Sequence, residues 1–253
     1  MAHIRSLLFS IGMLLSIAII APLVLLAFPF SVNRRYQITK IWSRFNLWWL
    51  NFTCRIDYRV SGLENLPDGA AIVLSKHQST WETIYLHYML PPLAIVLKKE
   101  LLWLPLFGWA LALLDPIAID RKSGRNAAKQ IIRRGKQHLD QGQWVLLFPE
   151  GTRTPPGVRI RYRIGGALLA SASGYPIIPI AHNAGYYWPR KGFIKRPGTV
   201  QVVIGPPIDS KGQSPEKLLA QTEQWIESTM SQITGQEETF VASPSSSRPP
   251  PAN

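Results

Sequence analysis

From Ser6 to Val32 the chain carries no charged residue, and most positions are Leu, Ile, Ala, Val, Met or Phe. About 20 apolar residues are enough for a helix to cross the hydrocarbon core of a bilayer. The run therefore sets the first constraint: one end of the chain belongs with a membrane, and the remainder must fold beside it. Pro22 and Pro29 would disrupt a helix in water but are tolerated in membrane segments. The rival reading is a cleaved signal peptide, whose apolar region runs about 7–15 residues before a small-residue cleavage site. This run is longer and leads into Phe28-Pro29-Phe30, which favours an uncleaved anchor. Arg5 precedes it, whereas Arg34, Arg35, Lys40 and Arg44 follow closely. By the positive-inside rule the body then faces the cytoplasm.

A second segment, Ile41–Cys54, places Ile41, Phe45, Trp48, Trp49 and Phe52 at helical spacing on one broad face. That pattern suits a helix lying in the interface or packed beside the first; a helix covering an ordinary core is the alternative. The formal net charge of +13 favours anionic partners: nucleic acid, acidic headgroups, phosphorylated substrates or an acidic carrier protein. Several of the nine tryptophans sit near the first apolar segment, and indoles concentrate at membrane–water interfaces, which tilts the choice toward lipid. Nucleic acid is disfavoured because the cations accompany no recognisable binding motif. Cys54 is the single cysteine, so an intramolecular disulfide and a Cys-based metal cluster are both excluded.

Beyond the anchor, short apolar runs at Ala70–Ser75, Leu93–Leu97, Pro116–Asp120, Trp144–Phe148, Ile177–Ala181 and Thr199–Ile204 read as strands. Helical patterns at Thr80–Leu90, Ser123–Leu139, Gly165–Ala172 and Ser214–Ile233 fall between or after them. Alternation of this kind predicts an α/β fold, a largely parallel sheet flanked by helices behind an N-terminal membrane-anchoring segment. The strand runs are apolar throughout, as expected when both sheet faces are covered. The expected division is an anchor and interfacial helix over 1–60, an α/β domain over 61–241 and a disordered, Ser/Pro-rich tail over 242–253.

Two constellations carry chemistry. His77 follows the strand Ala70–Ser75, with Glu82 five residues on. On one straight helix, residues five apart differ by about 140° and do not meet. With His77 in the turn before the helix, Glu82 can fold back to the imidazole and act as the carboxylate that orients a general base. Sites in α/β sheets gather beyond the carboxyl ends of strands, which favours the same position. The chain lacks the His-Glu-x-x-His of a zinc protease and the Gly-x-Ser-x-Gly of a serine hydrolase. A base with no evident protein nucleophile points to a substrate that brings its own, such as a hydroxyl. The second constellation is Pro149-Glu150-Gly151-Thr152-Arg153, turning out of the strand Trp144–Phe148. Gly151 permits close backbone approach, Thr152 offers a hydroxyl and Arg153 a fork for phosphate. Glu150 is placed to bind a substrate hydroxyl or to hold Arg153. Arg121 ends another apolar strand, and Arg163 opens the glycine-rich start Ile164-Gly165-Gly166.

Four blocks in this order resemble the glycerolipid acyltransferase family, specifically the 1-acyl-sn-glycerol-3-phosphate acyltransferases. They are His77-Gln78-Ser79-Thr80-Trp81-Glu82, Ile117-Ala118-Ile119-Asp120-Arg121, Phe148–Arg153 and Pro176-Ile177-Ile178-Pro179-Ile180. The first block ends in Glu82 where the family usually has Asp. The resemblance implies acyl transfer from an acyl thioester to the sn-2 hydroxyl of a lysophospholipid, giving phosphatidate. It implies His77 and Glu82 as catalytic residues, with Arg121, Glu150, Gly151, Thr152, Arg153 and Arg163 binding substrate and Pro179 lining the acyl-donor site. It implies no metal and no cofactor; acyl-CoA or the acylated form of an acyl carrier protein serves as co-substrate. Related acceptors such as glycerol-3-phosphate, and a basic membrane adaptor without chemistry, are the alternatives.

Overall fold

The computed structural model describes residues 1–242. The first helix, α1 (Ala2–Leu26), contains Pro22 without ending there, and the chain turns through Phe28-Pro29-Phe30 into α2 (Val32–Cys54). The two run antiparallel, as their cross-contacts require. Trp42 Nε1 donates to Ser16 Oγ at 2.9 Å, Trp49 Nε1 to the Leu8 carbonyl at 3.2 Å, and Cys54 Sγ to the Arg5 carbonyl at 3.5 Å. The second helix starts earlier than the aromatic pattern alone indicates. The aromatic face does point outward: Ile41 is 66% exposed, Trp48 57% and Phe52 69%, while Asn46, Leu47 and Leu50 are buried. One face of α2 thus covers the core while the aromatic face opposite it places a row of large apolar side chains where a bilayer surface can take them. Among the described residues α1 is the one helix long and apolar enough to cross a membrane, with a mean hydropathy of 2.5.

After α2 the elements are β1 (Ile56–Ser61), β2 (Ile72–Ser75), α3 (Trp81–Met89), β3 (Leu93–Lys98), α4 (Phe107–Ala112), β4 (Ile117–Ile119), α5 (Arg125–Asp140) and β5 (Trp144–Leu147). They continue as β6 (Val158–Arg159), α6 (Gly165–Ser173), β7 (Ile177–His182), β8 (Gly198–Ile204), α7 (Pro215–Thr234) and β9 (Thr239–Phe240). Seven strands form one sheet in the order β1-β8-β7-β2-β5-β3-β4; every pairing is parallel except β7 with β8. The expected largely parallel α/β sheet is therefore what forms. The expected division at residue 60 falls inside β1, which belongs to the sheet through its pairing with β8. The tail expected over 242–253 lies, past Ala242, outside the described residues.

Alternate residues of the central strands go to opposite layers. Ala71, Val73, Leu146, Ile178 and Ile180 pack with Leu47, Leu50, Trp81, Tyr85 and Leu86 from α2 and α3. Ile72, Leu74, Val145, Leu147 and Ile177 pack with Ile131, Leu139, Ala167, Leu169 and Leu218 from α5, α6 and α7. Both faces are covered, so the strands are apolar at every position. Gly166 lets α6 approach the sheet: a Cβ there would come within 2.5 Å of Leu74 Cδ2. The amino-terminal helices join the same body. Phe9 lies in the first core cluster and meets Trp188 edge-on at 5.1 Å, Ser6 Oγ accepts from the Lys195 amide at 2.8 Å, and Ala21 and Val24 pack with Ala110 of α4. Contacts near both ends of α1 thus hold it along the α/β body.

Candidate active site

The parallel strands β2, β5 and β7 lie side by side and deliver three loops to one edge of the sheet: Lys76-His77, Phe148–Arg153 and His182-Asn183. The first loop shapes the base. Glu82, in the opening turn of α3, folds back so that its Oε1 lies 2.8 Å from His77 Nδ1, 2.9 Å from the Gln78 amide and 2.8 Å from the Ser79 amide. An ionised carboxylate only accepts, so Nδ1 carries the hydrogen and Nε2 keeps its lone pair. Burial acts to raise the Glu82 pKa, but His182, His77 and the Ser79 amide outweigh it and hold the carboxyl below its ordinary value. For His77 burial is the largest influence and lowers the pKa; Glu82 opposes it, Arg153 and Arg121 reinforce it, and the net direction is down. The imidazole is therefore neutral near pH 7, as a base must be. The Phe148 ring stacks on it at 4.0 Å and 18°.

Arginines gather beside this base. Arg121 donates to the Gly151 carbonyl at 2.5 Å, and Arg153 donates to Thr80 Oγ1 at 2.6 Å. The Arg163 amide donates to the Pro149 carbonyl at 2.7 Å, and its side chain lies over Gly151. Gly151 has φ +69°, and a Cβ there would meet Arg163 Nε at 2.4 Å, so glycine is needed for both the turn and the approach. Burial, reinforced by the neighbouring Arg163 charge, lowers the Arg121 pKa. Among the described residues the one arginine–carboxylate ion pair is Arg134 with Asp115. Arg121, Arg153 and Arg163 hold no carboxylate, so a cluster of like charge stands ready for an anion.

Glu150, Thr152 and Pro179 have surroundings of their own. Glu150 neither holds Arg153 nor points to open space. Its Oε2 accepts from the His77 amide at 2.6 Å, and its Oε1 accepts from Thr154 Oγ1 at 3.1 Å and faces Lys76 Nζ at 3.2 Å. Burial pushes this carboxyl up to about 8 against the pull of Lys76, and its Oε2, accepting from the His77 amide, braces the backbone of the turn. Thr152 is half-buried in the turn and makes no described side-chain hydrogen bond. Pro179 is buried within β7 in register with Leu74, near Gly205 and Trp225.

Two residues escape a sequence reading. His182, at the end of β7, has Nε2 2.8 Å from the Lys76 carbonyl and 4.0 Å from Glu82 Oε2, and its Nδ1 accepts from the Ala184 amide. Its position at a strand's carboxyl end was the available signal. Lys76 is fully buried next to the base, and a lysine between an apolar strand and a histidine reads as solvated until the fold closes over it. Among the described residues no group of three or more His, Cys, Asp or Glu is arranged to hold a metal ion.

The family model described as Acyltransferase matches residues 57–183. The chain is 48% identical over 209 residues to the 1-acyl-sn-glycerol-3-phosphate acyltransferase of Pseudomonas aeruginosa, covering 81% of each. It is 30% identical over 203 residues to the human 1-acyl-sn-glycerol-3-phosphate acyltransferase alpha, covering 78% of this chain and 71% of that one. In fold it is similar to the crystal structure of the 1-acyl-sn-glycerophosphate (LPA) acyltransferase PlsC from Thermotoga maritima. The TM-score is 0.76 at 23% identity, covering 94% of this chain and 100% of that one.

Proposed function

The chain belongs to the acyltransferase family, and from that premise we propose that it transfers an acyl group from a thioester to the sn-2 hydroxyl of 1-acyl-glycerol-3-phosphate, forming phosphatidate for phospholipid synthesis. The observation that carries this reading is His77 Nδ1 held 2.8 Å from Glu82 Oε1, beside three arginines that hold no carboxylate. His77 Nε2 takes the proton of the acceptor hydroxyl while its oxygen attacks the thioester carbonyl carbon. The tetrahedral intermediate collapses with cleavage of the C–S bond, and the proton on His77 passes to the departing thiolate. Glu82, ionised throughout, stabilises the imidazolium between these steps. Arg121, Arg153 and Arg163 hold the acceptor's phosphate. Gly151 and Thr152 shape the turn that carries it, and Glu150 braces the base from behind. Pro179 in β7, with its neighbours, lines the acyl-donor site. The donor is acyl-CoA or an acylated acyl carrier protein, both anionic, and a net charge of +13 suits either. No cofactor enters this sequence of steps.

The exposed apolar face of α2, with α1 beside it, supports association with the membrane, where a lysophospholipid acceptor resides. Arg34, Arg35, Lys40 and Arg44 support a cytoplasm-facing body at the bacterial inner membrane. The test is a panel: membranes bearing the chain, supplied with each thioester donor, are offered 1-acyl-glycerol-3-phosphate, glycerol-3-phosphate and a lysolipid without a phosphomonoester. Preferred acylation of the first supports the reading; preferred acylation of another acceptor rejects it.

Arg153→Ala is expected to raise the apparent KM for the phospholipid acceptor by about 10–100-fold, the worth of one charged hydrogen bond, with a smaller change in kcat. Steady-state kinetics against acceptor concentration measures this, and an unchanged KM rejects the phosphate role. The pH dependence has a definite sign. The His77 pKa is lowered in the folded chain, so acidification inactivates the enzyme only below the ordinary histidine value of about 6.5. In kcat/KM profiles corrected for ionisation of the acceptor's phosphate, the acid limb should therefore lie below that value. A limb above it contradicts a buried neutral base.

A further inference from the structure

Behind the His77–Glu82 pair lies a buried group of charges that the reaction steps above do not use. The Lys76 ammonium faces Glu150 at 3.2 Å, Glu227 of α7 at 2.9 Å and Glu238. Tyr162 donates its hydroxyl to Glu227 Oε1 at 2.7 Å. Glu150 and Glu227 already satisfy Lys76, and burying a further carboxylate against the same ammonium is unfavourable for folding. Glu238 is there nonetheless, and it comes from far along the chain. Beyond α7 the chain runs back beside the loop that follows the arginine turn. The Thr239 amide donates to the Gly157 carbonyl and the Val241 amide to the Arg159 carbonyl, each at 2.8 Å, and Arg159 sits over the Phe240 ring at 5.7 Å. Gln236, Glu237, Thr239 and Phe240 of this strap are exposed. The Glu238 side chain is only 2% exposed. Its Oε2 takes Lys76 Nζ, and its Oε1 accepts from Gln78 Nε2 at 2.9 Å.

Lys76 and Gln78 flank the base, so one carboxylate grips the side chains on both sides of His77. The Gln78 amide is in turn one of the donors that fix Glu82. We propose that Glu238 is a positioning residue for acyl transfer: carried in by the carboxy-terminal strap, it holds the turn that presents His77 Nε2 to the acceptor. The strap's backbone pairing and the Arg159–Phe240 contact anchor it without help from Glu238, which leaves this carboxylate free for that role. The inference rests on His77 acting as the base.

The test uses the full chain in membranes, comparing E238A and E238Q with the parent on 1-acyl-glycerol-3-phosphate. A displaced base loses rate far more than it loses binding. E238A is therefore expected to lower kcat about tenfold with the acceptor KM within about twofold. E238Q should recover part of that loss, because its amide oxygen still accepts from Gln78 while its amide nitrogen cannot accept from the Lys76 ammonium. A merely structural role would lower Tm and leave the kcat of the folded enzyme intact. A parental kcat in E238A, a loss confined to KM, or an E238Q no better than E238A overturns the proposal. Should E238A fail to fold, Q78M removes the donor while keeping every charge and is read by the same kinetic split. A parent inactive on this acceptor refutes the acyl-transfer reading and this inference with it. An active parent matched by E238A refutes the positioning role alone.

Discussion

Replacing His77 with alanine is expected to lower kcat by about 10²–10⁴-fold, the usual worth of a general base, and to change the acceptor KM little. The structure explains why the variant should remain folded. The backbone of the turn is held independently of the imidazole, by Glu150 at the His77 amide and by Thr154 at the His77 carbonyl. The ring's own packing partner is Phe148, and an aromatic stack of this kind contributes about 0.5–1.5 kcal/mol beyond its area. That is small beside a typical stability of about 5–15 kcal/mol. Removing the side chain does leave Glu82 without its Nδ1 partner, but the Gln78 and Ser79 amides still satisfy the carboxylate. Steady-state acyl transfer in membranes, with folding checked by thermal melting, measures the effect. Near-parental turnover in a folded H77A protein would remove the mechanism.

Glu82→Gln should cost on the order of 10²-fold in kcat, because an amide cannot stabilise the imidazolium that forms when the hydroxyl gives up its proton. The loss has a second signature. Glu82 opposes burial and keeps the His77 pKa from falling further. Without the negative charge that pKa drops again, so the acid limb of the rate profile should move to lower pH than in the parent. A variant that merely loosened the turn would expose the ring and move the limb upward. Glu82→Asp tests the length of the link. The carboxylate that now reaches Nδ1 and two backbone amides must do so from one methylene farther back, and activity between that of parent and E82Q is expected.

The uncharged run from Ser6 and the wholly apolar strands were legible in the sequence because each is a local pattern with a direct physical cause. So were His77, Glu82 and the arginines, since four blocks in order restrict the reading far more than any one of them. What was not legible depends on closure of the fold. Strand β1 alternates more and less covered positions over a short edge segment, a local signal of a strand, but its parallel pairing with β8, nearly the whole length of the body away, is set only by closure. Glu150 sits in the arginine turn and reads as part of the anion cradle, yet the buried Lys76 and the His77 amide draw it inward. No spacing rule links Lys76 to Glu238, which lies 162 residues later. The Glu82 side chain spans the turn before α3 to a histidine outside that helix, a contact that the five-residue spacing alone does not require.

The central claim is that the acceptor's own hydroxyl attacks the thioester directly, with His77 taking its proton and no group on the protein carrying the acyl chain. It is tested most directly by rapid mixing of the parent with an acyl-labelled thioester, first without and then with 1-acyl-glycerol-3-phosphate. The predicted result is no burst of free thiol and no label on the protein until the acceptor is added, and then phosphatidate formed in step with thiol. A stoichiometric burst of thiol with the label bound to the protein before any acceptor is present would contradict it.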